Sequence, residues 1–270
     1  MIFYLSGFGP DQFYEKGEQA GIKNYLYSFH LWKQYTDPAT GIKDISKRVK
    51  EGQNIFIDSG GYTARVKGVK IDVREYVKFL KHNAQYITVA ANLDTNDVAE
   101  TLFNEKFLMS EVPNVPIIPI YHYSDFIHPE HRNLIEDYVE KYDYIGVGGV
   151  AGTGVNKAVL YKFLSYVFAR TKDKVRVHGL GMTGRELVTT FPFYSVDSTS
   201  WQEGMRFGGS VAPNGTKIRY RTGKNILEAG VSREVLAMSY KERLVYELEF
   251  WKRFEKEITD LWTARGVVWK

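Results

Sequence analysis

NIFIDSGGYTARVKGVKIDVREYVKFLKHNAQYITVAANLD, residues 54–94, carries the pattern that decides the fold. Two short apolar runs, NIFID and YITVA, each give way to polar or glycine-containing residues. Both are too short for helices and read as strands. Between them VREYVKFLKHN (Val73–Asn83) spaces its apolar residues by three and four, which predicts an amphipathic helix. Strand, helix and strand in that order make a parallel pair.

The same alternation extends in both directions. MIFYLSG from Met1, VPIIPIYHY from Val115, YIGVGGV from Tyr144, KVRVHGLG from Lys174 and YSVDSTSW from Tyr194 bring the strand candidates to seven. NLIEDYVEKY (Asn133–Tyr142) and KAVLYKFLSYVFART (Lys157–Thr171) supply further helical spacing. Nearly continuous hydrophobicity within short strands is expected where both faces are covered, and about eight such units in this length favour a closed (β/α)8 TIM-type barrel over an open sheet. The eighth strand is not evident; TKIRYRT, Thr216–Thr222, reads either as part of a hairpin or as that strand. We expect an α/β single domain, with the barrel over residues 1–230 and a C-terminal helical extension over 231–270. There KERLVYELEFWKRFEKEITDLW repeats Leu244, Leu248, Trp251, Ile258 and Leu261 at helical spacing, suited to packing on the barrel.

Composition narrows the chemistry. The chain has 270 residues, 44% hydrophobic and 25% charged, ordinary for a globular protein, but aromatics reach 15% with 19 tyrosines. With no cysteine, thiolate catalysis, disulfides and cysteine-ligated zinc are excluded. No apolar run approaches the length of a membrane span or a signal segment, so we expect a soluble cytoplasmic protein without a membrane partner. The net charge of +4 permits an anionic partner. Between Glu203 and Glu228 there is no acid, while Arg206, Lys217, Arg219, Arg221 and Lys224 fall inside that window. Such a segment is either a solvated loop or a phosphate-contacting one.

In a parallel barrel, functional residues gather where the strands end on the carboxyl side. Read together, those ends are Asp58-Ser59-Gly60-Gly61-Tyr62, Asn92-Leu93-Asp94, Tyr121-His122-Tyr123, Gly148-Gly149, His178-Gly179 and Asp197-Ser198-Thr199. An aspartate beside Ser or Gly often caps a helix or makes a turn. Three at the ends of three separate strands place three carboxylates in one mouth. Paired carboxylates across such a mouth suit displacement at an anomeric carbon, one as nucleophile and the other as acid/base. The paired glycines would let a flat ligand approach the backbone. Ser195, Ser198 and Thr199 are placed to orient the Asp197 carboxylate by hydrogen bonds. His122 and His178 read as structural or catalytic. His128 and His131 have no third well-spaced partner, so we expect no metal site.

The ordered series DSGGY at Asp58, NLD ending at Asp94, IYHY at Ile120, GVGGVAG at Gly146, HGLG at His178 and SVDSTSW at Ser195 resembles the tRNA-guanine transglycosylase superfamily. The resemblance spans roughly residues 54 to 206 and is nearest to the DNA-acting members that insert 7-deazaguanine bases, the DpdA type of phages and bacterial islands. It implies a pentosyltransferase barrel that exchanges guanine in DNA for a 7-deazaguanine base and needs no organic cofactor or metal. Asp197 would then be the nucleophile at C1′ and Asp58 the general acid/base. Asp94 would accept hydrogen bonds from the guanine-like edge, with Ser59, Gly60, Gly148, Gly149, His178 and Gly179 shaping the base pocket. Tyr121 or His122 stands where the family commonly has an amide side chain. Tyr62 or Trp201 would stack on bases, and Arg206 matches a phosphate-contacting position, with Lys217, Arg219 and Arg221 as further nucleic-acid contacts. The tRNA enzymes carry a cysteine-rich zinc element that this chain cannot have, which favours DNA over tRNA. The alternatives are a tRNA-guanine transglycosylase, a DNA glycosylase or nucleoside hydrolase using the same carboxylates, and a noncatalytic binding barrel. The resemblance also implies a host cytoplasmic location if the chain is phage-encoded.

Overall fold

The structure, a computed structural model, describes residues 1–9, 11–33, 35–95, 97–150, 154–202, 209–211, 217–219 and 233–269. Nine parallel strands form one sheet: β1 (Ile2–Ser6), β2 (Asn24–Ser28), β3 (Asn54–Asp58), β4 (Val89–Ala91), β5 (Ile117–Ile118), β6 (Ile120–His122), β7 (Tyr144–Gly148), β8 (Arg176–Gly179) and β9 (Ser195–Ser198). Their order is β5-β4-β3-β2-β1-β9-β8-β7-β6. The two outer strands, β5 and β6, are separated only by Pro119, which has no N–H to give to a ladder. Its carbonyl still accepts from Gly146 N at 2.8 Å. Residues 117–122 therefore act as a single stave that pairs with β4 on one side and β7 on the other, and the sheet closes as an eight-stave barrel.

The stave missing from the sequence reading is β2, NYLYS. TKIRYRT is not a stave: Lys217–Arg219 forms β11, which pairs antiparallel with β10 (Gly209–Val211) as a separate two-stranded sheet, the hairpin of the two expected alternatives.

Strand alternation divides the core in two. Tyr4, Leu26, Phe56, Val89, Ala91, Ile118, Ile120 and Tyr144 fill the barrel interior. Their neighbours, such as Phe3, Tyr25, Ile57, Tyr121, Val147 and Val196, face outward against the helices. Those helices include α1 (Asp11–Gln19), α2 (Gly61–Val66), α3 (Val73–Asn83), α4 (Val98–Glu111), α5 (Tyr123–Ile127), α6 (Leu134–Lys141), α7 (Lys157–Thr171) and α8 (Arg185–Thr190). After α9 (Arg233–Ala237) comes the long α10 (Tyr240–Ala264), which begins at a capping box: Ser239 Oγ accepts from Glu242 N at 3.4 Å, and Glu242 Oε2 accepts from Ser239 N at 2.7 Å. Phe254 of α10 meets Phe3 edge-on at 5.3 Å, and Trp262 Nε1 donates to Val188 O at 2.7 Å. The aromatic stripe of α10 therefore belongs to the barrel's outer core. Among the described residues no helix is long and apolar enough to cross a membrane.

Candidate active site

At the carboxyl ends of the strands a cavity of about 600 Å³ opens, and Asp58, Asp94 and Asp197 all line it. Each reaches it for a local reason. In β3, Phe56 and Asp58 share the inward parity, so the last residue of the strand points up the barrel axis. Burial, followed by the charges of Asp94 and Asp197, pushes the Asp58 carboxyl up to about 7; the Gly60 N–H and the Ser28 hydroxyl oppose the shift. Gly60 itself has a φ of +84°, a backbone conformation that favours glycine. A Cβ there would stand 2.4 Å from His30 Cβ, and one on Gly61 would stand 2.9 Å from Asp94 O. The DSGG turn is thus glycine-rich for contact with its own protein, and of the four paired glycines only Gly149 lines the cavity. A Cβ on Gly148 would press on Leu180 at 3.0 Å.

Asp94 sits on a loop that α4 holds in place: Asn104 Nδ2 donates to Leu93 O at 2.9 Å, and Thr95 N donates to Thr101 Oγ1 at 2.9 Å. His122, at the end of β6, places Nε2 3.0 Å from Asp94 Oδ2. On its other side Nδ1 lies 3.8 Å from Asp125 Oδ2, which also accepts from the His122 backbone N at 2.8 Å. Burial raises the Asp125 carboxyl above its ordinary range. The histidine is thereby fixed between two carboxyl groups.

Asp197 is inward on β9, opposite Tyr4 of β1. Its Oδ1 accepts from Gly181 N at 2.7 Å and lies 3.5 Å from His178 Nε2. Among the described residues neither Ser195 nor Ser198 makes the expected bond to the carboxylate, and Thr199 lines the cavity. Ser195 Oγ bonds to Tyr144 OH and His178 Nδ1, and Ser198 Oγ accepts from Ser200 N at 2.9 Å. A loop amide holds the carboxylate instead, with His178 nearby.

Several expected site residues lie elsewhere. Tyr121 has the outward parity of β6, is fully buried, and donates its hydroxyl to Arg132 O at 2.9 Å; His122 takes the mouth position. His178 is wholly buried beneath Asp197 and does not line the cavity, while Gly179 faces Phe193. Ser59 is buried behind the mouth, where its Oγ accepts from Gly61 N at 3.4 Å. Trp201 is not a surface stacking platform: it is fully buried against Phe8 at 4.3 Å, and its Nε1 donates to Ser6 O at 2.7 Å. Tyr62 does line the cavity and is half-exposed. Arg206, Arg221 and Lys224 lie outside the described residues; Lys217 and Arg219 belong to β11 by backbone only. His128 and His131 stand 6.4 Å apart by ring centroids, away from the cavity.

The structure adds lining that sequence reasoning missed: Ser6 at the end of β1 with Gly7 and Phe8 after it, Ser28 at the end of β2 with Trp32 after it, and Gly181 beyond β8. The signal available for the β2 group was the gap from Ser6 to Asn54, about twice the spacing of most other strands.

Fold and site together define a parallel α/β barrel with three aspartates in its carboxyl-end mouth. No family model matches the chain. A curated protein described as uncharacterized protein 306, from Sulfolobus islandicus rod-shaped virus 1, is 27% identical over 166 residues, covering 58% of this chain and 52% of that protein. The chain thus spans about half the length of this viral relative.

Proposed function

We propose that the protein is a nucleic-acid guanine transglycosylase, a pentosyltransferase that exchanges guanine in DNA for a 7-deazaguanine base through a covalent Asp197–C1′ intermediate. The observation that carries this reading is the convergence of Asp58, Asp94 and Asp197 on one cavity, with the Asp58 carboxyl at about 7 and Asp197 held, among the described residues, through Oδ1. A group with pKa near 7 can give and take a proton at neutral pH. Asp197 Oδ2 attacks C1′, the C1′–N9 bond breaks, and Asp58 delivers a proton to the departing guanine. The incoming base returns a proton from its N9 to Asp58 as that nitrogen attacks C1′ and releases Asp197. Two inversions retain the configuration. Asp94, backed by His122, faces the cavity as an acceptor for the N–H groups of a guanine-like edge. A 600 Å³ cavity is in the range of small-ligand sites, and the nucleotide reaches it by leaving its stack.

DNA is favoured because a cysteine-free chain cannot build the zinc element of the tRNA enzymes. The proposed place of action is the cytoplasm, that of a host if the chain is viral like its relative. The test is incubation of duplex DNA, and separately tRNA, with labelled guanine or a 7-deazaguanine. Wild type should incorporate label into DNA and trap a covalent adduct that Asp197→Asn cannot form. Abasic sites without incorporation would make the protein a glycosylase, and no exchange into either nucleic acid would remove the reading.

A further inference from the structure

A buried polar chain runs up the inside of the barrel beneath Asp197. Tyr144 OH of β7 lies 2.5 Å from Ser195 Oγ of β9, Ser195 Oγ lies 2.6 Å from His178 Nδ1 of β8, and Nε2 of the same ring stands 3.5 Å from Asp197 Oδ1. Ser195 and His178 are wholly buried, and Tyr144 nearly so. Phe56 packs on the imidazole at 4.4 Å between centroids and Tyr4 meets it at 6.1 Å, which fixes the plane of the ring. Among the described residues His178 Nε2 makes no hydrogen bond, an unusual state for a buried ring nitrogen that points to a carboxylate partner.

The directions of the hydrogen bonds follow from counting donors and acceptors. Burial pushes the Tyr144 pKa well up, so the phenol keeps its proton. Its one hydrogen-bond partner among the described residues is Ser195 Oγ, so that oxygen accepts it. Ser195 then has a proton of its own to donate, and its other partner is His178 Nδ1. Nδ1 is therefore an acceptor, and the imidazole proton lies on Nε2, facing Asp197. In the reverse direction the Tyr144 proton would have no acceptor among the described residues.

We propose that His178 is a positioning residue for Asp197, held as the Nε2–H tautomer by Ser195 and Tyr144, so that it and Gly181 N–H both engage Oδ1 and leave Oδ2 free to attack. As a neutral donor the imidazole fixes the torsion of the carboxylate without cancelling its charge. The kinetic half of this proposal rests on Asp197 being the transglycosylase nucleophile; the tautomer half does not.

Two measurements separate them. In protein labelled with ¹⁵N-histidine, the His178 resonances should show a protonated Nε2 and an unprotonated Nδ1, and Tyr144→Phe should weaken that preference. A protonated Nδ1 in the wild type overturns the proposal whatever the activity. In single-turnover formation of the covalent DNA adduct, Tyr144→Phe and His178→Leu should slow the step about 10- to 100-fold with little change in DNA affinity, by analogy with the loss of a partner that orients a metal ligand. His178→Gln, whose amide can still donate to Oδ1, should recover part of the rate. A His178→Leu protein that forms adduct at the wild-type rate overturns the proposal. If the His178 variants do not fold, Tyr144→Phe, which removes one oxygen, supplies both readouts. Wild-type protein with the Nε2–H tautomer but no adduct on guanine-containing DNA or tRNA would remove the transglycosylase reading and the kinetic half with it, while the tautomer assignment would stand.

Discussion

Replacing Asp58 by Asn should stabilise the protein in mild alkali and leave its stability unchanged in acid. Burial and the neighbouring charges of Asp94 and Asp197 lift the carboxyl from 3.8 to about 7 in the folded protein, whereas in the unfolded chain it returns to its ordinary value. The difference is roughly 3 pKa units, or about 4 kcal/mol at about 1.4 kcal/mol per unit. Between the two values the folded protein holds a proton that the unfolded chain has released, so stability falls as pH rises. The contribution is fully present below about pH 4, declines through about pH 7, and is lost by about pH 8. Asn is close in shape, can accept the Gly60 N–H, and carries no charge at any of these pH values. At about pH 8 the variant should therefore be more stable than wild type by about 4 kcal/mol, or about 7 °C in melting temperature for a chain of this length.

The assay is urea unfolding of both proteins in parallel from about pH 4 to 8.5, plotted as the difference between them so that the titrations they share cancel. A flat difference would show that Asp58 does not titrate across this window, and a difference growing toward acid would show a depressed pKa. Either refutes the electrostatic account of the mouth. Activity should move the opposite way: loss of a positioned acid/base costs about 10² to 10⁴ in rate. Gaining stability while losing activity is the behaviour of a group held in an unfavourable environment for function.

Trp201→Ala should cost about 3–5 kcal/mol of stability, because it empties a fully buried site against Phe8; urea unfolding at constant pH reads it, and an unchanged midpoint would contradict that placement. Tyr62→Ala should leave the urea midpoint unchanged, since the ring is half-exposed, and weaken binding of a single-stranded DNA oligonucleotide by about 1–3 kcal/mol if a base stacks on it; fluorescence anisotropy measures the change.

Seven of the eight staves were legible because a short apolar run ending in a polar or glycine residue has few other uses in a chain of alternating helices. The eighth, NYLYS, was not. Its one inward apolar residue is Leu26, while Tyr25 and Tyr27 face the helix layer and the polar Asn24 and Ser28 bound the strand. Amphipathic rings between polar residues look like a loop until something covers them, and what covers these rings is Phe8, Tyr14 and Trp32, all brought in by the fold. VPIIPIYHY was legible as one strand although Pro119 splits it into two ladders; the barrel stays closed because each half needs only the partner on its own side.

At the mouth, residue types were legible and the direction of each side chain was not. When both faces of a strand are buried, period-two alternation gives two sets of residues but not which set points inward. His122 and Tyr121 are adjacent, and parity alone sends one to Asp94 and the other to Arg132. Parity also explains why the hydroxyls of β9 do not cradle Asp197. Ser195 shares the inward face with Asp197 but lies one layer lower, where its register partner is His178 on β8. Its hydroxyl is therefore spent on the imidazole, and the imidazole reaches up to the carboxylate. The hydroxyl-rich stretch acts on Asp197 through a residue seventeen positions earlier in the chain, a connection that exists only once β8 and β9 are in register.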